Sequence, residues 1–474
     1  MASKNIAFDT LPASIRKPGK YFEYNTRLAV RNLPANPQKV LIVAGKTAEG
    51  TLDAHQPVNI YSDLEARNYA GLGSVAHLMC RAAIRAYPYT QLQLIVVADD
   101  SAGLASTGTL TIAGTATTAG VVSLSIGTDQ IFRVAAARND TAADIAMALA
   151  VVVNAGQRVP VTATATGGAI TLTARNKGET GNHIPLQATC TAPGVTATLA
   201  PMAGGQVNPN ITDALAAVFA EGHTVIISPY LDQDNLEILR EHLRNTGHAL
   251  EQRGAVGVTA VTGTLSQGVA IATAINDGRI TMALLPKTQS IQWEVAAAYG
   301  AVLASEEDPA RPLNTLPLTG IEAPPIPARL GRTEQETALY NGLTPLEVGP
   351  GEVVQIVRAL STYIKDPQGI EDVSLLDITT IRTLDYVRKA CRERISLRFP
   401  REKLSSRTPP KVRSELLDVL KKLEELEIVE EVDANKPMLI VERDLQDANR
   451  LNAAIPCDVV NGLHVFAGRI DLLL

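Results

Sequence analysis

A few stretches hold residue types that could do chemistry. Gly45-Lys46-Thr47 follows the apolar run Val40–Ala44, the order of a strand leading into a phosphate loop. Such a loop needs another glycine five residues ahead of Gly45, so that backbone N–H groups can cradle phosphate. Val40 stands there, and the stretch reads as a plain strand exit. Gly263-Thr264-Leu265-Ser266-Gln267-Gly268 has the small residues of a nucleophile turn. It is no Gly-x-Ser-x-Gly elbow, and no His–Asp pair can be nominated to activate Ser266. A helix N-cap is the stronger reading. His242 and His248 lie six apart in a helical stretch, on different faces, which makes them poor partners for a metal. Trp293 is the single tryptophan and sits on an apolar helix, where packing is its expected role. No catalytic residue, metal or cofactor is expected. The enzyme-class rival is a degenerate α/β hydrolase acting through Ser266.

The elements around these residues follow from periodicity. From about 37 the pattern runs strand, helix, strand: Val40–Ala44, Ser74–Ala86, Leu92–Ala98. It resumes after 206 with a helix at Ile211–Glu221 and a strand at Thr224–Ser228. A helix over Asp232–Arg253 follows, then strand, helix, strand, helix at Ala255–Val261, Leu265–Asn276, Ile280–Leu285 and Ile291–Ser305. Continuous Val/Ile/Ala strands between helices predict a parallel sheet covered on both faces. Residues 101–206 differ: short alternating, Ala/Thr/Gly-rich strands (107–115, Val121–Ile126, Gln130–Ala135, Val159–Thr166, Ala169–Ala174) surround one helix, Thr141–Asn154. They predict a β-rich domain inserted into a surface loop of the α/β domain.

A proline-rich crossing from 309 to 327 leads to a C-terminal region. Paired strands are expected at Val353–Arg358 and Leu360–Ile364. Asp377 should cap a helix with the stripe Ile381, Leu384, Val387, Cys391 and Ile395, and Pro410 should open a second helix. The fold class expected is multidomain α/β. Its parts are an N-terminal arm over 1–30, a central α/β domain over 31–100 and 207–348, the insertion over 101–206, and a C-terminal α+β domain over 349–474.

Both ends are unusual. The leader scatters Phe8, Leu11, Ile15, Tyr21, Phe22 and Tyr24 among prolines and charges, with no period long enough for a core; such anchors suggest a binding partner. The last dozen residues read as a strand running off the chain, with Phe466, Ile470, Leu472 and Leu474 on one face and Arg469 and Asp471 on the other. Burying such side chains is worth roughly 1.5–3 kcal/mol each, against roughly 1–2 kcal/mol per residue ordered. The segment therefore needs a sheet edge to dock on, in a neighbouring copy or in its own subunit.

Composition narrows the classes. At 474 residues, two to four domains are expected. An apolar content of 46% suits a soluble globular protein, and a net charge of −6 gives no nucleic-acid footprint. The four cysteines, Cys80, Cys190, Cys391 and Cys457, are far apart in sequence and suit a reducing compartment. No signal-peptide core or membrane-spanning run is read, so cytoplasmic synthesis without membrane insertion is expected.

Several stretches resemble contractile-tail sheath proteins, the Mu-like branch in particular: Leu330–Leu346, with its Gly331-Arg332-Thr333-Glu334, Ile356–Tyr363, Leu376–Arg388, Leu11–Gly19 and Val459–Ala467. The resemblance implies the sleeve around the inner tube of a phage tail and a central domain of subtilisin-like α/β fold. It implies a homo-oligomer of stacked rings, with inner tube, baseplate and tail terminator proteins as partners, assembled in the host cytoplasm and resident in the virion. It also implies subunits joined by strands from the N-terminal arm (Ile15, Tyr21, Phe22, Tyr24) and from the C-terminal segment (Leu463, Val465, Phe466, Ile470, Leu472, Leu474). The insertion should face outward, and hinges are expected near Asn25–Asn36 and Ala453–Asn461. Arg382, Lys389 and Arg392 share the helix face opposite the apolar stripe and could meet an acidic tube, or form a solvated face diluted by Asp385 and Glu393. A further rival is a static virion or adhesin component.

Overall fold

The computed structural model describes residues 16–22 and 33–473. Expectations for Ile15, Tyr24 and Leu474 lie outside those residues.

Lys39–Gly45 (β1) is apolar at every inner position, and Val40–Ala44 are wholly buried. Pro57–Ile60 (β2), Asp63–Ala70 (α1), Val75–Ala86 (α2) and Gln91–Val97 (β3) follow. Ser74 caps α2 by accepting from the His77 N–H. The insertion is built from Thr107–Gly114 (β4), Gly120–Ile126 (β5), Ile131–Ala136 (β6), Ala142–Asn154 (α3), Val161–Thr166 (β7), Ala169–Ala174 (β8), Leu186–Cys190 (β9) and Val195–Ala203 (β10). They make two antiparallel sheets, ordered β10-β4-β8-β7 and β6-β5-β9. Inward positions such as Leu110, Val122, Leu124, Leu149 and Leu172 join one apolar cluster with the central domain.

The chain then returns through Thr212–Ala217 (α4), Val225–Ile227 (β11), Gln233–Gly247 (α5), Val256–Val261 (β12), Leu265–Ile275 (α6), Ile280–Leu284 (β13), Gln292–Ser305 (α7), Arg332–Tyr340 (α8), Thr344–Val348 (β14) and Val354–Ile356 (β15). One eight-stranded sheet results, ordered β15-β14-β13-β12-β11-β1-β3-β2. It is parallel except at its edges, where β2 and β15 run antiparallel to their neighbours. Val40 and Ile42 pack with α2 and α7 on one face, while Leu41 and Val43 pack with α4 and α5 on the other. Helix α7 lies almost wholly inside the molecule, with Trp293 at 2% exposure.

Three expectations change. The α5 helix stops at Gly247 rather than Arg253, because His248 leaves the helical region and the Arg253 N–H returns to the Thr246 carbonyl. A division at 348/349 would cut the antiparallel β14–β15 pair, so the central sheet continues past it. Leu360–Ile364 is no paired strand: Leu360 makes a lone bridge to Asp377, and the Thr362 N–H donates to Ile280.

Ile378–Arg398 (α9), Thr408–Glu425 (α10), Val432–Asn435 (α11), Ile440–Arg443 (β16) and Leu451–Ala454 (β17) complete the fold. Helix α9 belongs to both domains. Ile378 lies in the central core, whereas Val387 and Cys391 share a separate core with Val412, Leu416 and Val419 of α10. Buried Arg394 ties the two helices, its Nη1 donating to Glu415 at 3.0 Å and Asp418 at 2.5 Å. Asp377 stands at the α9 N-cap but makes no side-chain cap bond. The Arg358 guanidinium holds its carboxylate at 2.9 and 2.7 Å instead.

Candidate functional site

Open α/β sheets bind ligands at the carboxyl ends of the strands where strand order reverses. Here that point lies between β1 and β11, because the chain runs from β1 to β3 on one side and returns to the other as β11. The crevice is filled by the insertion. Asn176 Nδ2 donates to the Lys46 carbonyl at 2.8 Å and to Asp99 at 3.0 Å, and the Lys177 N–H donates to Asp99 at 2.9 Å. Lys46 Nζ is held by the Gly50 and Leu52 carbonyls at 3.1 and 2.5 Å. The Gly-Lys-Thr stretch is thus a packed strand exit.

One Asp–His pair is invisible in the sequence. Asp63 and His77 are fourteen residues apart on different helices, and no local pattern links them. His77 Nε2 lies 3.0 Å from Asp63 Oδ1, and Nδ1 accepts from the Gly73 N–H at 3.1 Å. Burial lowers its pKa, so the ring is neutral and donates to Asp63. With both nitrogens engaged, the imidazole has no lone pair left for a hydroxyl proton. Arg158 of the insertion grips the other Asp63 oxygen at 2.9 and 3.2 Å. The pair is a docking contact. Ser266 is exposed in the first turn of α6, while Thr264 is the N-cap in a capping box with Gln267. His242 sits edge-on to Phe219, and burial brings its pKa down to about 4.

A third contact fastens the insertion. Thr128 Oγ1 donates to Glu294 on α7 at 3.2 Å, and Asp129 pairs with Arg81 and Arg85 of α2. Arg81 lies 3.6 Å from Glu294. Complete burial outweighs that cation and raises the Glu294 pKa to about 7.

The C-terminal domain presents a different kind of site. Among the described residues its sheet contains only β16 and β17. Beside β17 runs a groove of about 600 Å³ lined by Leu384, Val387, Cys391 and Ile395 of α9, and by Leu451 and Ala453 of β17. The expected α9 stripe is therefore only partly covered. Among the described residues, β17 pairs with no strand but β16.

The segment read as a terminal strand does not fill that groove in its own subunit. Gly462 packs against Pro312, His464 Nδ1 accepts from Asn314 at 3.0 Å, and His464 Nε2 lies 3.5 Å from Asp377. Beyond this anchor no described residue enters a strand, and Val465, Phe466, Ile470 and Leu472 are 79%, 87%, 98% and 83% exposed. Leu463 is exposed as well. In the leader, Phe22 is exposed and the Tyr21 hydroxyl donates to the Lys17 carbonyl at 3.1 Å.

The described residues of the expected hinges and of the cation face make contacts within the subunit. Residues 458–460, in one expected hinge, are bonded to 428–430 through Glu430 N–H to Asp458, Val460 N–H to Ile428 and a Val429–Val459 bridge. At the other end, Pro34 and Ala35 carbonyls accept from Tyr386 Oη at 2.9 Å and Lys389 Nζ at 2.7 Å. Arg382 is buried against the Glu306 carbonyl. Arg392 binds Gln252 of the central domain. The face opposite the stripe is polar because it packs on another domain's backbone, a distinction that one helix's periodicity does not carry.

A family model described as the phage tail sheath protein central domain matches residues 204–362, and one described as the phage tail sheath C-terminal domain matches 371–472. The Mu-like prophage FluMu tail sheath protein of Haemophilus influenzae is 34% identical over 490 residues, spanning 99% of this chain and all of that one. The chain belongs to the phage tail sheath family. As a sheath protein it is a structural subunit of a contractile tail. The two family domains meet between 362 and 371, beyond the β14–β15 pair that a boundary at 348/349 would divide. Sheath folds among solved structures agree in architecture. The crystal structure of a sheath tail protein from Desulfitobacterium hafniense covers 94% of this chain and 97% of its own at a TM-score of 0.52 and 13% identity. The sheath complex of an extracellular contractile injection system in its contracted state covers 97% and 98%, with a TM-score of 0.50 and 10% identity.

Proposed function

We propose that this sheath protein polymerises as stacked rings around an inner tube and drives that tube through an envelope by contracting, with a purely structural role. The observation that carries the proposal is the pairing of unmatched parts within one chain. An apolar end projects past an anchor at His464, and an apolar groove lies open beside a short sheet. Neither is satisfied among the described residues of the subunit, and each suits the other. The end of one copy adds a strand along β17 of another, its alternate side chains entering the groove. The leader, with Tyr21 and Phe22, adds at a second neighbour.

The central sheet, with α2 and α7 on one face, supports a subtilisin-like reading of the core. The crevice where such a domain would hold substrate is filled by Asn176 and Lys177, which favours the structural role over the hydrolase rival. Three contacts fix the insertion to the core, so both would move as one body during contraction. The driving energy would come from new interfaces between preformed bodies, with the exchanged ends keeping neighbours joined as they rotate. Assembly in the host cytoplasm, with baseplate and terminator proteins at the two ends, completes the reading.

Electron microscopy of the purified full-length protein is the test. Striated hollow sleeves, with two lengths in the presence of tube, are expected. Particles of one fixed length under all conditions would favour the static-component rival.

A further inference from the structure

A cleft of about 250 Å³ lies where α9 crosses the starts of β1 and β12. Five cationic side chains line it, Lys39, Arg253, Arg382, Lys389 and Arg392, of which Arg253 is paired with Glu251, and a single carboxylate, Asp385, lines it with them. In a chain of net charge −6 this is a local concentration of positive charge. Asp385 does not neutralise it. Arg279 holds that carboxylate at 2.7 and 3.0 Å and Arg388 at 2.8 Å, and neither arginine lines the cleft.

Arg382 is the decisive residue. It is 8% exposed, its Nη2 donates to the Glu306 carbonyl, and its Nη1 is buried without a hydrogen-bond partner. Glu306 and Asp308 act on the guanidinium electrostatically, but neither lines the cleft. Leaving a buried donor unmatched costs roughly 1–3 kcal/mol, more when it is charged. An anion in the cleft offsets part of that cost, and the surrounding cations specify the same charge. Lys389 uses one N–H on Ala35, and Arg392 uses only Nη1, on Gln252, so both keep donors to offer.

We infer that this cleft binds a small oxyanion of the phosphate class, with Lys389 and Arg392 as the donors and the buried Arg382 guanidinium behind them as a fixed positive charge. A planar guanidinium fork beside a point-charge ammonium is suited to a tetrahedral oxyanion. The lining comes from β1, the 252–255 loop and α9, so the bound ion bridges the central and C-terminal domains and stiffens their junction. The inference stands independently of the assembly reading.

The test is titration of the full-length protein with inorganic phosphate, at ionic strength held constant with sodium chloride, followed by calorimetry and thermal unfolding. Saturable binding with a rise of several degrees in Tm is expected. The Lys389→Met/Arg392→Met double variant, checked for a native circular dichroism spectrum, should bind at least tenfold more weakly. Arg382→Met, where it folds, should also bind more weakly. A shift that does not saturate or that chloride reproduces would overturn the inference. So would unchanged affinity in the double variant. A cleft that takes only an acidic side chain from a neighbouring copy would give the first of these negative results.

Discussion

Removal of residues 465–474 is expected to leave a subunit that folds normally and does not assemble. The cut preserves the His464 anchor on Asn314 and Asp377. What it removes contributes almost nothing to the subunit's own core, since Ile470 is 98% exposed and Leu473 91%. Circular dichroism should be unchanged and Tm should move by only a degree or two. Assembly should fail because an entering strand has to offset ordering of roughly 1–2 kcal/mol per residue. It does so through apolar burial of roughly 1.5–3 kcal/mol per large side chain and edge hydrogen bonds of about 0.5–1.5 kcal/mol each. Those terms nearly cancel for one strand, so each contact is weak alone and the lattice depends on many. Velocity sedimentation should give monomer at concentrations where the intact chain forms sleeves. The narrower Phe466→Ser/Ile470→Ser variant removes only apolar burial and should behave alike.

A second large effect concerns pH and the insertion. Burial lifts the Glu294 carboxyl from 4.5 to about 7 in the folded chain. The folded protein therefore holds a proton that the unfolded chain releases between those values. The resulting stability is fully present below about 4.5 and lost as pH rises to about 7, with no further change above. Its size is about 3 kcal/mol, because each tenfold gain in proton affinity on folding contributes about 1.36 kcal/mol. Glu294→Gln should remove this part of the pH dependence, so that the wild-type-minus-variant difference in Tm falls between pH 5 and 7 and then levels. An unchanged difference across that range would mean that Glu294 is ionised throughout. Because Thr128 and Asp129 meet this carboxylate and its Arg81 partner, faster proteolysis of the 127–130 turn above pH 7 should accompany the loss.

Much of this architecture was legible in the sequence because its strands are long apolar runs and its helices carry explicit caps. Asp232 receives the Asn235 N–H at 3.0 Å, and Thr141 with Asp144 forms a full capping box. The weaker elements escaped because their patterns are short or broken. Pro201 sits inside β10, where the register slips between Ala200 and Ala203, and β2 has only four residues. The terminal apolar alternation was visible, but where the segment leaves its subunit depends on distant partners at 312–314 and Asp377. The role of Arg382 was illegible for the same reason. A helical wheel shows which residues share a face, whereas whether that face meets solvent, a tube or the 306–308 turn is decided by chain some 75 residues away.

The central claim is that one copy's end lies in another copy's groove, and thiol trapping tests it most directly. Cys391 and Cys457 line the groove; burial pushes the Cys391 thiol up to about 12, so the less buried Cys457 is the thiol a crosslinker reaches. In Leu472→Cys protein assembled into sleeves, a short thiol crosslinker should yield a ladder of covalent oligomers. The ladder should vanish when Cys391 and Cys457 are replaced by serine, and should be weak for Asp471→Cys, whose side chain points the other way. Intact sleeves that yield no oligomers from Leu472→Cys, or a ladder indifferent to Cys391 and Cys457, would contradict strand exchange into this groove.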